Sequence, residues 1–188
     1  MDTRQKNQYQ SMKNYIYIVF LLLVISCTPH GGTNPNKPQP ILPVDSVYIT
    51  ADFRKYNDYY NTGHQVYAID LLSQGLEYDS AYHIYGSGCN LYLSDVFTTC
   101  DSLPEGHYQM DSVAKEGTFL RGMDFEGNIT GTYLLQIYEN QIQRITLFTS
   151  GSMKVHYLDG GDILLEYSLY TADSTLYRAT YQGPAMYR

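Results

Sequence analysis

The sequence predicts an all-β protein, on three observations. Apolar and polar residues alternate with a period of two along most of the chain beyond residue 43, as in strands that bury one face. Short turn sequences rich in glycine, asparagine and aspartate separate these runs, and no stretch carries the apolar repeat of an amphipathic helix. Strands at such spacing are typical of an antiparallel β-sandwich or an up-and-down, calycin-like barrel.

The first 26 residues have the composition of a secretory signal peptide. Arg4, Lys6 and Lys13 precede an uncharged, mostly apolar run from Tyr15 to Ser26, which matches the charged and apolar regions of such a signal. A membrane-spanning helix needs ~20 apolar residues. The run is therefore too short to remain in the bilayer as a span.

The apolar run ends in Val24-Ile25-Ser26-Cys27, which resembles the lipobox of bacterial lipoproteins position by position. The resemblance implies diacylglycerol on the thiol of Cys27, cleavage after Ser26 and an acylated amino group. Two or three acyl chains hold a protein durably on a bilayer. We therefore expect a lipid-anchored protein of the cell envelope, on the periplasmic face of the outer membrane or at the cell surface.

Residues 27–43 have the composition of a tether. Five of the seven prolines lie between Thr28 and Pro43, and such a segment has no apolar face to bury and stays extended. The chain thus divides into a signal peptide (1–26), a lipidated cysteine with a proline-rich tether (27–43) and a single all-β domain (44–188).

Within the domain, the alternation assigns residues to strand faces. Val47, Ile49, Ala51 and Phe53 are predicted to share the buried face of the first strand. The same alternation recurs in seven later runs: Tyr67, Ile69, Leu71; Leu91, Leu93, Phe97; Tyr133, Leu135, Ile137; Ile145, Leu147; Met153, Val155, Tyr157; Ile163, Leu165, Tyr167, Leu169; and Tyr177, Ala179, Tyr181.

Three turn sequences in the last third of the chain predict a C-terminal hairpin meander. They are Glu139-Asn140, Ser150-Gly151-Ser152 and Asp159-Gly160-Gly161-Asp162. Strands joined this tightly are antiparallel neighbours. We expect a meander of four or five strands from Thr130 to the C-terminus.

Several weak motifs occur in a fixed order between residues 90 and 184. They are Leu103-Pro104-Glu105-Gly106-His107-Tyr108, Gly117-Thr118-Phe119, Gly131-Thr132-Tyr133-Leu134, Thr149-Ser150-Gly151-Ser152-Met153-Lys154-Val155 and Tyr181-Gln182-Gly183-Pro184. This pattern resembles a module of Bacteroidetes lipoproteins of unknown function. The resemblance implies an extracytoplasmic β domain and carries no catalytic residues.

Charge and cysteine usage narrow the possible partners. The chain has 12 basic and 19 acidic residues, which give a net charge of −7. Because the sequence has no cluster of basic residues, nucleic acid is not an expected partner. Cys89 and Cys100 bracket one predicted strand, which would hold them roughly 35 Å apart against the ~6 Å that a disulfide bridges. Whether they pair stays open at this point.

The sequence offers little catalytic or metal-binding chemistry. It contains no CxxC, HExxH or GxSxG motif and its histidines are scattered, so we expect no metal, no cofactor and no enzymatic activity. Asp124-Phe125-Glu126-Gly127-Asn128 is loosely like a calcium loop, although a plain surface turn is favoured. Four strand carboxylates that could meet across a cleft leave a glycan-acting enzyme as a minor alternative: Asp52, Asp70, Asp95 and Glu166.

The segment from Arg54 to His64 is the candidate ligand-binding segment. Tyr56, Tyr59, Tyr60 and His64 alternate there with Asn and Asp, a mixture that stacks on a ligand and hydrogen-bonds its rim. The alternative is a polar hairpin loop whose tyrosines pack back on the sheet. The chain has 21 tyrosines and no tryptophan, and most of the tyrosines are expected on outer sheet faces and rims.

These features together predict a non-enzymatic binding or assembly module with a glycan or protein partner. The main alternative is a lipocalin-like carrier that holds a small apolar ligand inside its barrel.

Overall fold

The computed structural model describes residues 45–185 and residue 187, which form fourteen β-strands. The predicted signal peptide, Cys27 and the tether lie outside the described residues. Within the described part, no helix is long and apolar enough to cross a membrane. The strands are β1 (Asp45–Lys55), β2 (Gln65–Ser73), β3 (Leu76–Tyr78), β4 (Ile84–Gly86), β5 (Gly88–Thr98), β6 (Gly106–Asp111), β7 (Thr118–Leu120), β8 (Met123–Phe125), β9 (Asn128–Thr130), β10 (Thr132–Tyr138), β11 (Gln141–Leu147), β12 (Ser150–Tyr157), β13 (Asp162–Tyr170) and β14 (Leu176–Pro184).

Eight of these strands close a barrel. Their order is β1, β2, β5, β7, β6, β12, β13 and β14, which pairs with β1 again. The predicted all-β class is confirmed, with a barrel as its architecture. Two parallel pairs, β1 with β14 and β6 with β7, depart from a simple up-and-down order.

Strand β5 changes partners part-way along its length. Its first half pairs with β10, whereas Val96 and Phe97 pair with β7. Between the two halves Asp95 has a φ of 57°, and the register with β2 shifts at this level. The β10–β11 hairpin therefore leaves the barrel as a two-stranded wing.

The wing corrects the predicted C-terminal meander. Strands β12, β13 and β14 are consecutive antiparallel neighbours as expected, but β11 pairs with β10 alone and not with β12. Ser150–Ser152 is the start of β12 and not a turn. Gly151 fits there because a Cβ would lie 2.5 Å from the backbone oxygen of Ser168 on β13, so its sequence signal reflects close strand packing.

One cluster of buried hydrophobic residues fills the barrel interior, and it includes six tyrosines: Tyr48, Tyr67, Tyr108, Tyr167, Tyr177 and Tyr181. The alternation places Tyr67, Tyr167, Tyr177 and Tyr181 on buried faces, but it assigns Tyr48 to the outer face, which is wrong. The six rings supply large apolar area, and several hydroxyls find partners inside. The Tyr48 and Tyr177 hydroxyl oxygens lie 2.5 Å apart, and Tyr108 donates to the Pro104 carbonyl over 3.0 Å.

Strand β1 does not keep one apolar face along its length. A register shift between Tyr48 and Thr50 puts Tyr48 inside and leaves Val47 and Ile49 70% and 58% exposed, while Ala51 and Phe53 are buried. The predicted shared face is therefore wrong for Val47 and Ile49, because a β-bulge reverses the alternation.

The two cysteines of the domain are not joined. Cys89 lies near the start of β5 and Cys100 just beyond its end, and both thiols are free. The single strand between them keeps their sulfurs apart, as the spacing in the sequence indicated.

Candidate functional site

A cleft of about 730 Å³ lies on the outer face of the barrel. Its floor is the outward face of β1, β2, β5 and β10, and each of these strands is paired on both sides. The loop over residues 56–64 forms one wall and the β8–β9 hairpin contributes another. A pocket of this volume is within the range that takes small ligands.

An ion-pair network occupies the floor beside the cleft. Arg54 donates from Nε to Asp52 over 2.8 Å and from a terminal nitrogen to Asp70 over 2.8 Å. The Asn90 side chain also donates to Asp70, so both oxygens of this carboxylate are engaged. Asp52 and Asp70 are only 4% and 5% exposed. Such buried carboxylates depend on their partners for stability.

The environment of Asp70 affects its protonation. Burial raises the pKa of Asp70 above its ordinary value of 3.8, against the opposing effects of the Asn90 hydrogen bond and the Arg54 charge. The buried Tyr78 hydroxyl lies nearby, and burial followed by the Asp70 charge raises its pKa as well. The network therefore combines neutral and charged donors around one buried acid.

Two tyrosines form an aromatic pair on the floor. Tyr92 on β5 and Tyr133 on β10 are direct cross-strand partners, with ring centroids 5.2 Å apart and planes tilted by 35°. The Arg54 guanidinium carbon lies 6.0 Å from the centre of the Tyr92 ring, at the outer range of a cation–π contact. The result is an aromatic platform next to a held cation.

Backbone amides and one aspartate organise the tyrosine loop. The two carboxylate oxygens of Asp58 accept from the amides of Thr62 and Gly63 at 2.7 and 2.9 Å. Tyr59 and Tyr60 meet edge to face with centroids 5.0 Å apart. The loop is thus closed on itself and presents its aromatic rings toward the cleft.

Tyr60 connects this loop to the bulge in β5. Burial, then the charge of Asp95 and a hydrogen bond to it, raise the pKa of Tyr60 to about 12. Asp95 also accepts from the Ser94 hydroxyl over 2.5 Å. Its positive φ places a carboxylate in the cleft at the point where β5 changes partners, and residues in such sparsely populated conformations often occur at functional sites.

The β8–β9 hairpin supplies an apolar wall. Met123 and Ile129 line the cleft, and Glu126 and Gly127 form the tight turn at the tip with φ values of 52° and 88°. Asp124 accepts from the Gly127 amide over 2.8 Å. The segment considered as a calcium loop is thus a hairpin turn, and the described residues contain no group of three or more potential metal ligands.

Three of the four predicted ligand-binding residues line the cleft. Tyr56, Tyr59 and Tyr60 all do so, but His64 does not; its ring packs edge-on against Phe97, with centroids 6.4 Å apart. His64 differs from the three tyrosines because it packs against Phe97 at the end of the loop. That the three tyrosines bind a ligand stays a prediction.

The strand carboxylates considered for an enzyme divide between two places. Asp70 and Asp95 line the cleft and Asp52 lies behind Arg54. Glu166 lies on β13, its carboxylate 4.0 Å from the His156 ring. Because Asp70 is buried with both oxygens engaged, it lacks the free access that proton transfer to a substrate requires.

The floor residues were missed by sequence reasoning. Arg54, Asn90 and Tyr92 fall on the polar or weakly apolar side of their strands, which the alternation assigns to solvent, whereas Tyr133 is assigned to the apolar face that it shares with Leu135 and Ile137. The sequence signal that could have indicated this covered face is in strand β2. Its residues are buried along almost the whole strand, and a strand that is buried on both faces has other residues packed on its outer side.

No protein-family model matches this sequence, and no curated protein and no solved structure matches it. The function is therefore argued from the cleft itself.

Proposed function

We propose that this chain is a lipid-anchored, extracytoplasmic lipoprotein that acts as a non-enzymatic binding module, with its ligand in the tyrosine-lined cleft. The observation that carries the proposal is the cleft: a concave site on a rigid sheet, with aromatic rings and a few fixed polar groups. Such sites bind small molecules or chain segments. The lipobox-like sequence supports the location.

The packing of the barrel interior bears on the carrier alternative. A lipocalin-like carrier needs an open lumen, whereas the barrel axis here is filled by large side chains such as Phe53, Tyr167 and Phe119, each at most 2% exposed. An external site is therefore the better supported of the two.

The binding proposal is tested by capture with the full-length protein in detergent. Wild-type protein and the Tyr92→Ala/Tyr133→Ala double variant are each incubated with solubilised cell-envelope extract, and retained glycans and proteins are compared. Tyr170→Ala is the matched control, because this tyrosine is 38% exposed and lies on β13, three strands from β2 around the barrel. We expect a partner retained by wild type and control and lost by the double variant; identical capture by all three contradicts the proposal.

The location is tested separately by mass spectrometry of the native protein. The expected mature chain begins at Cys27 with diacylglycerol on its sulfur. An unmodified thiol with residues 1–26 still attached contradicts the anchor. Protease treatment of whole cells then distinguishes surface display from the periplasmic face.

A further inference from the structure

We propose that the cleft is selective for carbohydrate without acidic groups, with a sugar ring packed on the Tyr92–Tyr133 platform. This inference rests on the proposed function, because it names the ligand class of the same site.

The fixed charges of the cleft disfavour anionic ligands. An anionic ligand meets the carboxylates of Asp70 and Asp95. Arg54 is not available to neutralise an anion, because Asp52 and Asp70 already hold it at 2.8 Å each. An anionic ligand would lose hydration without gaining a free partner of opposite sign, whereas a ligand without negative charge avoids this cost.

The aromatic platform suits the apolar face of a sugar ring. A pyranose presents a C–H face, and the Tyr92 and Tyr133 rings, 5.2 Å between centroids, offer an apolar surface on the cleft floor. Tyrosine rings pack against such a face while their hydroxyls remain able to hydrogen-bond. A site of about 730 Å³ has room for more than one ring.

The polar groups around the platform fit hydroxyl recognition. Each sugar hydroxyl both donates and accepts, and the cleft offers an acceptor in Asp95 and mixed groups in Ser94, Asn90 and Thr130. These groups lie beside the aromatic surface and not in an isolated charged pocket. Neutral polyols form hydrogen bonds with both the donors and the acceptors of this set.

The sheet geometry argues against an extended peptide as the ligand. Peptides that add to a sheet pair with a free strand edge. Here the floor strands β1, β2, β5 and β10 each have hydrogen-bonded neighbours on both sides, so the cleft presents side chains and no unpaired backbone.

The test is a glycan array probed with the full-length protein in detergent, with glycans sorted by charge. The set includes neutral oligosaccharides and uronate, sialylated and sulfated glycans. We expect binding confined to glycans without acidic groups. Preferred binding of any acidic class, or no glycan binding, overturns the inference.

Variants then place the bound glycan in the cleft. Tyr92→Ala and Tyr133→Ala are each expected to weaken binding of the strongest neutral hit by at least about tenfold, and Tyr170→Ala to leave it unchanged. Tyr59→Ala serves as a second cleft variant that leaves the sheet floor intact, since this side chain is 68% exposed at the rim. Unchanged binding in all three cleft variants, with folding verified by circular dichroism, overturns the assignment.

The two proposals fail in different ways. An acidic or protein partner whose capture depends on Tyr92 and Tyr133 overturns the carbohydrate inference and leaves the binding module in place. Capture that never depends on the cleft overturns both.

Discussion

Arg54 is the residue that keeps two buried carboxylates on the barrel wall compensated. Its side chain is 36% exposed, whereas those of Asp52 and Asp70 are 4% and 7% exposed. The acids thus depend on a cation that itself touches solvent. Loss of one partner from such a group leaves uncompensated buried charge, which costs more than the pair contributed.

Replacing Arg54 by methionine is expected to lower the free energy of unfolding by about 1–3 kcal/mol, a range reduced for the solvent exposure of the guanidinium. Urea unfolding followed by circular dichroism measures this. Lys55→Met is the matched control, because the partner of Lys55, Asp101, is 93% exposed and its loss should matter less. Equal losses for the two variants contradict the compensating role.

Asp70 gives the fold a pH dependence of defined sign. Burial raises its folded-state pKa above 3.8, so the native state holds this proton more tightly than the unfolded state. As the pH rises above 3.8, the native protein carries the extra proton and the contribution of Asp70 to stability falls until the raised pKa is passed.

Asp70→Asn removes this titration. The free energy of unfolding of the variant, measured relative to wild type in urea at a series of pH values, is expected to rise as the pH increases above 3.8. Arg54 stays charged over this range and contributes only a constant offset. A difference that stays flat, or one that falls with pH, contradicts the raised pKa.

Individual residues differed in how well the sequence predicted their position. The tyrosines at positions 56, 59 and 60 were found because they cluster in one short segment. Tyr92 and Tyr133 are 41 residues apart in the chain, and only the strand pairing brings them together. A single sequence holds no information on which strands become neighbours, so the platform was not predictable.

The β8–β9 hairpin is an element whose attachment depends on glycine. Gly131 has a φ of +74°, and a Cβ there would lie 1.9 Å from the Arg121 carbonyl oxygen. Gly127 at the tip has a φ of +88°, with nothing within 4 Å. Both positions need a left-handed backbone, but only the base of the hairpin also lacks space.

This difference predicts unequal costs for the same substitution. Gly127→Ala is expected to cost roughly 1–2 kcal/mol, from the left-handed conformation alone. Gly131→Ala adds a backbone clash and is expected to cost about 1–3 kcal/mol more. Thermal unfolding of the two variants compares them, and a Gly131→Ala variant as stable as Gly127→Ala contradicts the close approach.

Elements were predicted where local chemistry determines them. Glu139-Asn140 and Gly160-Gly161 form the expected hairpin turns, with positive φ at all four residues, because a tight hairpin requires this conformation. The bulges near Ile49 and Asp95 were not predicted, because they depend on how the barrel closes and not on local residue preferences. Faces assigned by alternation therefore hold on one side of a bulge only: in β1, Ala51 and Phe53 are buried as predicted, whereas Val47 and Ile49 are exposed.

At the scale of the whole molecule, Tyr187 packs against the barrel near strands β1 and β2. It forms a bridge with Phe53, its ring centroid lies 5.3 Å from that of Phe53 and 5.9 Å from that of Tyr67, and its hydroxyl lies 2.9 Å from that of Tyr157. Tyr187 thus contacts strands β1 and β2 through its ring and Tyr157 on β12 through its hydroxyl.

Tyr187→Ala is expected to lower the free energy of unfolding by about 1–2 kcal/mol, because Phe53 and Tyr67 lose an aromatic neighbour. Tyr187→Phe keeps the ring and loses only the hydroxyl contact, so it should retain most of the stability. Denaturant unfolding distinguishes the two. If alanine and phenylalanine have the same small effect, the ring contacts do not contribute as described.

The all-β class was readable from periodicity, whereas closure through β5 and β7 was not. That contact joins Phe97 to Thr118 and Val96 to Phe119, short pairings that no alternation reveals. The cleft exists because β10 and the hairpins leave the closed barrel at this seam. The site thus follows from the topology of the molecule more than from any motif.

The most direct test of the proposed site is hydroxyl-radical footprinting of the full-length protein with and without total cell-envelope polysaccharide. We expect Tyr59, Tyr92 and Tyr133 to become protected while Tyr170, outside the cleft, stays equally reactive. Protection confined to other surfaces, or no protection of the cleft tyrosines at saturating polysaccharide, would contradict a carbohydrate site on this face of the barrel.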